Sequence, residues 1–284
     1  LDVNNTRVGI RKNTPLYPLD VKGTVNADVL RIVETPGQSG TTGIGTIGIL
    51  GAQMKFNISE SIPLLTTKRI PFKTIVEELL FFINGHTDVK ILQNKGIKIW
   101  NGNTTREFLD SRGLLHLPEG DIGAGYSHQW RHFGADYKDC FTDYTGQGCD
   151  QLMNVIKQLK EDPFSRRIIM NAWNAAHLDQ MALPPCHVMC QFYVRDCDIT
   201  NKRFLSCHMY QRSVDTFLGL CWNIMSYATL TYILAQMCDM YPDELIISTG
   251  DTHIYLDHLE QVQTQLTRTF IPEPVLVVNN NVKH

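Results

Sequence analysis

Thr216-Phe-Leu-Gly-Leu-Cys-Trp-Asn-Ile-Met-Ser-Tyr-Ala-Thr-Leu-Thr-Tyr-Ile-Leu-Ala-Gln-Met-Cys-Asp-Met240 is the stretch on which the fold turns. Its one formal charge is Asp239, so about 23 residues run uncharged, long enough for a helix to cross a bilayer. Yet Asn223, Ser226, Thr229, Thr231, Gln236 and two tyrosines are scattered through it, and Gly219 interrupts its start. Polar groups on every face are costly against lipid and ordinary in a helix enclosed by other elements. The stretch reads as the central buried helix of a globular domain, with no membrane partner.

The segments on either side complete the class. Residues 204–210 and 245–249 read as strands, as do 168–173, 188–194 and 274–278. Residues 74–84 read as a helix with Ile75, Val76, Leu79, Leu80 and Ile83 apolar, and 151–159 as a second. Residues 101–120 suit a short helix plus loop. The glycine-rich run 37–51 suits a turn-rich loop leading into a strand, and residues 1–26 an irregular surface arm. Helices and strands mix without a regular βα alternation, so the class is α+β.

Composition narrows the function. A formal charge of −3 and 43 % hydrophobic residues are ordinary for a soluble protein, and no basic excess marks nucleic acid as an obligatory partner. The cysteines, at 140, 149, 186, 190, 197, 207, 221 and 238, form no C-x-x-C pair. That spacing suits neither a zinc ribbon nor a secreted disulfide scaffold, so no metal is expected. Eight unpaired thiols, with no leader legible from Leu1, lead to the expectation of a cytoplasmic location.

Chemistry concentrates in Leu183-Pro-Pro-Cys-His187 and Tyr210-Gln-Arg-Ser-Val-Asp215. A thiol is a strong nucleophile, and neighbouring positive charge favours its thiolate. An isolated cysteine is otherwise a small buried hydrophobe. Arg212 with Ser213 is a phosphate-binding combination. Helical spacing puts Glu78 beside Ile75, Phe81 and Phe82, where burial would raise its pKa towards proton transfer near neutrality. Glu77 has Lys73 one turn back and reads as an ion-paired surface residue. Arg166 and Arg167 are either solvated at a strand start or phosphate ligands. Asn223 can cap a helix or read a base edge with its donor and acceptor.

The wording around these residues resembles thymidylate synthase. The matching stretches are Leu64-Leu-Thr-Thr-Lys-Arg69, Glu77-Glu-Leu-Leu80, Gln129-Trp-Arg-His-Phe-Gly134 and Ser165-Arg-Arg-Ile-Ile-Met170. Met181-Ala-Leu-Pro-Pro-Cys-His187, Gln191-Phe-Tyr-Val194, Asn223-Ile with Ser226-Tyr227, and Gly250-Asp-Thr-His-Ile-Tyr255 follow in the family's order. The resemblance implies a large mixed sheet with helices packed on one side, in a homodimer joined through the sheet. Residues 27–284 would form a single catalytic domain. The implied reaction is methylation of dUMP to dTMP by 5,10-methylenetetrahydrofolate, the co-substrate.

The resemblance also implies roles. Cys186 would be the nucleophile, supported by His187, with Glu78 and Tyr126 moving protons. Asn223 would read uracil, and His253 and Tyr255 the deoxyribose. Gln211, Arg212 and Ser213 would bind dUMP within one subunit, and Arg166 and Arg167 would reach the phosphate across the dimer. Lys68, Ile99, Trp100, Asn103, Asp215, Leu218, Gly219 and Trp222 would contact the folate.

The chain departs from the family in places. Thr41 stands where a phosphate-binding arginine is expected. Ile122-Gly-Ala-Gly-Tyr-Ser127 replaces Leu-Gly-Pro-Val-Tyr-Gly, and Cys221-Trp222-Asn223 replaces Pro-Phe-Asn. The sequence stops at His284, before the segment that closes over both ligands in the family. These departures keep two alternatives in view: a deoxyuridylate hydroxymethylase, and a nucleotide- or RNA-binding homologue with weakened catalysis.

Overall fold

A computed structural model describes residues 30–33, 43–197 and 202–279. The N-terminal arm and Thr41 lie outside the described residues. In chain order the elements are β1 (Leu30–Val33), β2 (Thr46–Asn57), α1 (Phe72–Ile83), α2 (Lys90–Gln93), α3 (Arg106–Ser111), α4 (Tyr126–His132) and α5 (Gln151–Glu161). They continue with β3 (Ile169–Asn171), β4 (His187–Cys197), β5 (Lys202–Asp215), α6 (Gly219–Met237), β6 (Tyr241–Tyr255) and α7 (Leu259–Leu266). The class is α+β. The chain divides into two compact units, Phe72–Gln191 and the segments flanking it.

In the flanking unit the strands lie in the order β1-β2-β6-β5, followed by the part of β4 from Phe192 onwards. β2 is antiparallel to both β1 and β6, while β5 and β6 run parallel, so the sheet is mixed. A parallel pair needs a crossover, and α6 supplies it. α6 packs on β5 and β6, and Leu220, Ile224, Tyr227, Leu230 and Leu234 are among its buried side chains. Three of its polar residues have backbone acceptors, two of them one turn back. Thr229 and Thr231 donate to the carbonyls of Met225 and Tyr227, at 2.8 and 2.7 Å. Tyr232 donates to the Ile58 carbonyl at 2.6 Å. Among the described residues no helix is long and apolar enough to cross a membrane.

Two expectations change here. The strand in the glycine-rich run starts at Thr46 and passes through Gly48, which pairs with His253. A Cβ on Gly48 would lie 2.9 Å from the Thr252 carbonyl oxygen, so only glycine lets the strands close at that point. Residues 274–278 form no strand. Pro272 and Pro274 lack the N–H that a ladder needs. The segment is tied down instead by Ile62 N–H donating to the Pro274 carbonyl at 3.0 Å and by Ser61 donating to Glu273 at 2.7 Å.

In the second unit, α1 packs on α4 and α4 on α5. The buried stripe of α1 is Ile75, Leu79, Phe81 and Phe82, while Leu80, expected inside, is exposed. Two helices start on side-chain caps, Thr105 accepting from Phe108 N–H and Asp150 from Met153 N–H. Glu77 pairs with Lys95 at 2.6 Å and not with Lys73. β3 is shorter than expected and pairs antiparallel with the start of β4. α4 and α7 are helices that the apolar periodicity did not reveal.

Candidate active site

In the second unit the site is built around the ring of Phe82. Cys186 is half-buried and directly precedes β4, behind Pro184 and the buried Pro185. Its backbone N–H donates to the phenol oxygen of Tyr126 at 2.6 Å. His187, the first residue of β4, stacks on the Tyr126 ring with centroids 3.9 Å apart and planes at 12°. Phe82 lies 5.0 Å from Tyr126 and 6.2 Å from His187. Trp100 donates its indole N–H to Glu78 at 2.8 Å, and its ring lies 6.3 Å from that of Tyr126. Cys186, His187, Tyr126, Glu78 and Trp100 are thus gathered from four separate segments.

Burial depresses the pKa of His187 to about 3, so the imidazole is neutral near pH 7. His187, beside the cysteine, therefore carries no positive charge near pH 7. What it offers is a flat, uncharged face against Tyr126.

The bend that delivers Tyr126 depends on Gly123. This residue has φ of 72°, and a Cβ on it would sit 2.1 Å from the Gln180 carbonyl oxygen. The cluster of glycines just before Tyr126 was its visible signal. Ile99 is 40 % exposed and Asn103 half-buried. Arg166 and Arg167 are exposed ahead of β3, and neither enters an ion pair among the described residues. The Arg166 carbonyl accepts from Gln191 at 3.2 Å.

The flanking unit carries the other candidates on the ends of β5 and β6 and the start of α6. Gln211 is 2 % exposed and donates to Asn223 Oδ1 at 2.9 Å and to the Ser213 carbonyl at 3.1 Å. Its own Oε1 is buried without a partner among the described residues. Asn223 is not a cap. The N-cap of α6 is Leu218, and Asn223 lies one turn inside the helix. Gln211 sets the Asn223 amide with its oxygen towards Gln211, a contact that sequence reading had missed.

Asp215 closes a tight turn, its Oδ1 accepting from the N–H groups of Phe217 and Leu218 at 3.0 and 3.1 Å. Lys68 donates to the Phe217 carbonyl, and its ammonium lies 4.0 Å above the centre of the Phe217 ring. Leu218 is half exposed, and Gly219 opens α6. Trp222 and Arg212 are half-buried. His253 Nδ1 lies 2.7 Å from Asp251 Oδ1, and its ring is 5.2 Å from that of Tyr255. Among the described residues no group of three His, Cys, Asp or Glu side chains is placed to hold a metal ion. None of the eight cysteines is in a disulfide.

The thymidylate synthase family model matches residues 27–284. The thymidylate synthase of Agaricus bisporus is 53 % identical over 237 residues, covering 83 % of this chain and 80 % of that protein. The bifunctional dihydrofolate reductase-thymidylate synthases of Paramecium tetraurelia and Zea mays are 53 % and 51 % identical, over 84 % and 85 % of this chain. The chain spans about half the length of these bifunctional relatives, 51 % and 45 %.

Proposed function

Because the chain belongs to the thymidylate synthase family, we propose that it methylates dUMP to dTMP with 5,10-methylenetetrahydrofolate as the one-carbon and hydride donor. The observation that carries this reading is Cys186, its amide held by Tyr126, beside a neutral His187 and a Glu78 oriented by Trp100.

Cys186 adds to C6 of the uracil, which makes C5 nucleophilic. C5 bonds to the folate methylene carbon, and loss of the C5 proton releases tetrahydrofolate to leave an exocyclic methylene. Hydride from tetrahydrofolate reduces that carbon to methyl as the Cys186 thiolate leaves C6, giving dTMP and dihydrofolate. Charge developing on O4 requires hydrogen-bond donors, and the Asn223 Nδ2 group, with Oδ1 taken by Gln211, is one. Glu78 and Tyr126 move protons at the pyrimidine. Arg212 and Ser213 hold the phosphate. Arg166 and Arg167 serve the partner's site in a homodimer, which their exposure and the absence of an acidic partner among the described residues support. His253 and Tyr255 read the deoxyribose hydroxyl.

Several residues suit a folate. Trp100, Trp222 and the exposed side chains of Ile99 and Leu218 offer apolar surface to a ring system, and Asn103 a polar edge. Asp215 Oδ2 takes no part in the turn and is an acceptor for a pterin N–H. Residues 27–284 act as one catalytic domain, and cysteines that form no disulfide suit the cytoplasm.

An absorbance assay for dihydrofolate, joined to product analysis, tests the reading. Thymidylate with dihydrofolate is the expected pair. Hydroxymethyldeoxyuridylate with tetrahydrofolate, or dUMP binding without any product, would overturn it.

A further inference from the structure

We propose that Lys68 is a positioning residue that pins the turn presenting Asp215, and that it serves the folate through this turn and not through the glutamate tail alone. The catalytic half of this rests on the proposed function; the structural half does not.

Lys68 grips Phe217 twice. Its ammonium donates to the Phe217 backbone carbonyl and lies over the face of the Phe217 ring. A charge-assisted hydrogen bond and a cation–π contact on one residue hold it more firmly than either alone. The Phe217 carbonyl and the Leu218 N–H belong to a single peptide plane, which moves as a rigid unit. The other end of that plane, Leu218 N–H, donates to Asp215 Oδ1. Lys68 and Asp215 therefore hold opposite edges of the same plane. If it rotates away from Lys68, its N–H leaves the carboxylate as well.

The rest of the turn is tied in the same way. Thr216 N–H donates to the His253 carbonyl at 2.8 Å, Phe217 N–H donates to Asp215, and the Cys221 thiol donates to the Leu218 carbonyl at 3.3 Å. Lys68 is close enough to Cys221 to counter the upward push that burial gives that thiol's pKa. The peptide plane between Phe217 and Leu218 thus depends on Lys68 at its carbonyl edge. Asp215 orientation, and with it the site for a pterin N–H donor, follows from a lysine 149 residues earlier in sequence than Phe217.

The test uses the full chain carrying Lys68→Met or Lys68→Arg. Hydrogen exchange is read first in the ligand-free protein. The peptide covering residues 215–221 should exchange faster in Lys68→Met and recover protection in Lys68→Arg, while the α1 peptide stays unchanged. Unchanged exchange at 215–221 in Lys68→Met overturns the pin. Kinetics then compare methylenetetrahydrofolate with methylenetetrahydropteroate, which lacks the glutamate tail. Lys68→Met should lower kcat/KM about tenfold with both, the size expected from losing a charged hydrogen bond, and dUMP affinity should hold. A loss confined to the glutamylated compound overturns the positioning role and leaves a tail contact. An inactive wild-type enzyme would sink the proposed function, and the exchange data would still decide the pin.

Discussion

The backbone amide of Cys186 donates to the phenol oxygen of Tyr126 at 2.6 Å, and the same phenol ring stacks on His187. The peptide entering the candidate nucleophile is thus fixed by a side chain 60 residues away in sequence. Tyr126 has two separable functions here: its ring packs against His187 and Phe82, and its oxygen accepts from Cys186.

Tyr126→Phe separates them. The ring stack survives, while the Cys186 amide loses this acceptor. Losing a partner in a partly buried site costs about 1–3 kcal/mol. Urea unfolding should show a loss in that range, and kcat should fall more than the dUMP dissociation constant rises. Wild-type kcat in the variant would mean that the Cys186 peptide needs no such support.

Cys186→Ser should bind dUMP yet show no turnover, because a hydroxyl lacks the nucleophilicity of a thiolate near neutral pH. Cys190→Ala and Cys207→Ala are the controls. Both cysteines are buried, so these changes should lower stability while leaving turnover near wild type. Appreciable dihydrofolate production by Cys186→Ser would remove the cysteine from the mechanism.

Asn223→Asp should weaken dUMP and improve the relative use of dCMP. One carboxylate oxygen continues to accept from Gln211, as Oδ1 does now, and the other accepts from the cytosine amine while repelling uracil O4. Competition binding with the two nucleotides reads the outcome. If the preference for dUMP persists undiminished, Asn223 is only packing α6 against Gln211.

Arg166 should act in trans. Mixing an inactive Cys186 variant with an inactive Arg166 variant gives heterodimers in which one site has lost both functions and the other is intact. Random exchange would restore about a quarter of the sites, because a twofold interface shares residues reciprocally. Demonstrated exchange without recovered activity would put both residues in the same subunit's site.

His187 should govern part of the acid limb of stability. Its pKa is about 3 when folded against 6.5 as the ordinary value. The unfolded chain therefore binds a proton that the folded one refuses between these values, and stability falls as pH drops through about 6.5 towards about 3. Above the ordinary value neither state is protonated, and the effect vanishes. His187→Gln removes the titrating group and should flatten the pH dependence of the melting temperature across that window. An acid limb of unchanged slope would show that His187 keeps its proton equilibrium in the fold.

The sequence by itself determined features that depend on neighbours within about one helical turn. The uncharged run at 216–240 became α6, and its threonines found partners four residues back. Thr105 and Asp150 began their helices as capping residues do. The two prolines before Cys186 and the Arg-Ser pair in β5 marked candidate chemistry before any fold was known. Choice of partner across long separations was not legible. Periodicity offered Lys73 to Glu77 and a capping role to Asn223, but packing gave Glu77 to Lys95 and set Asn223 inside α6 opposite Gln211. Prolines at 272 and 274 cancelled a strand that hydrophobicity alone favoured. His187 is neutral because the tertiary structure removes it from water, and Lys68 holds Phe217 because folding brings the two together. Local order follows from what the backbone and its nearest side chains can satisfy. Charge state and partnership follow from burial and distance, which only the folded chain sets.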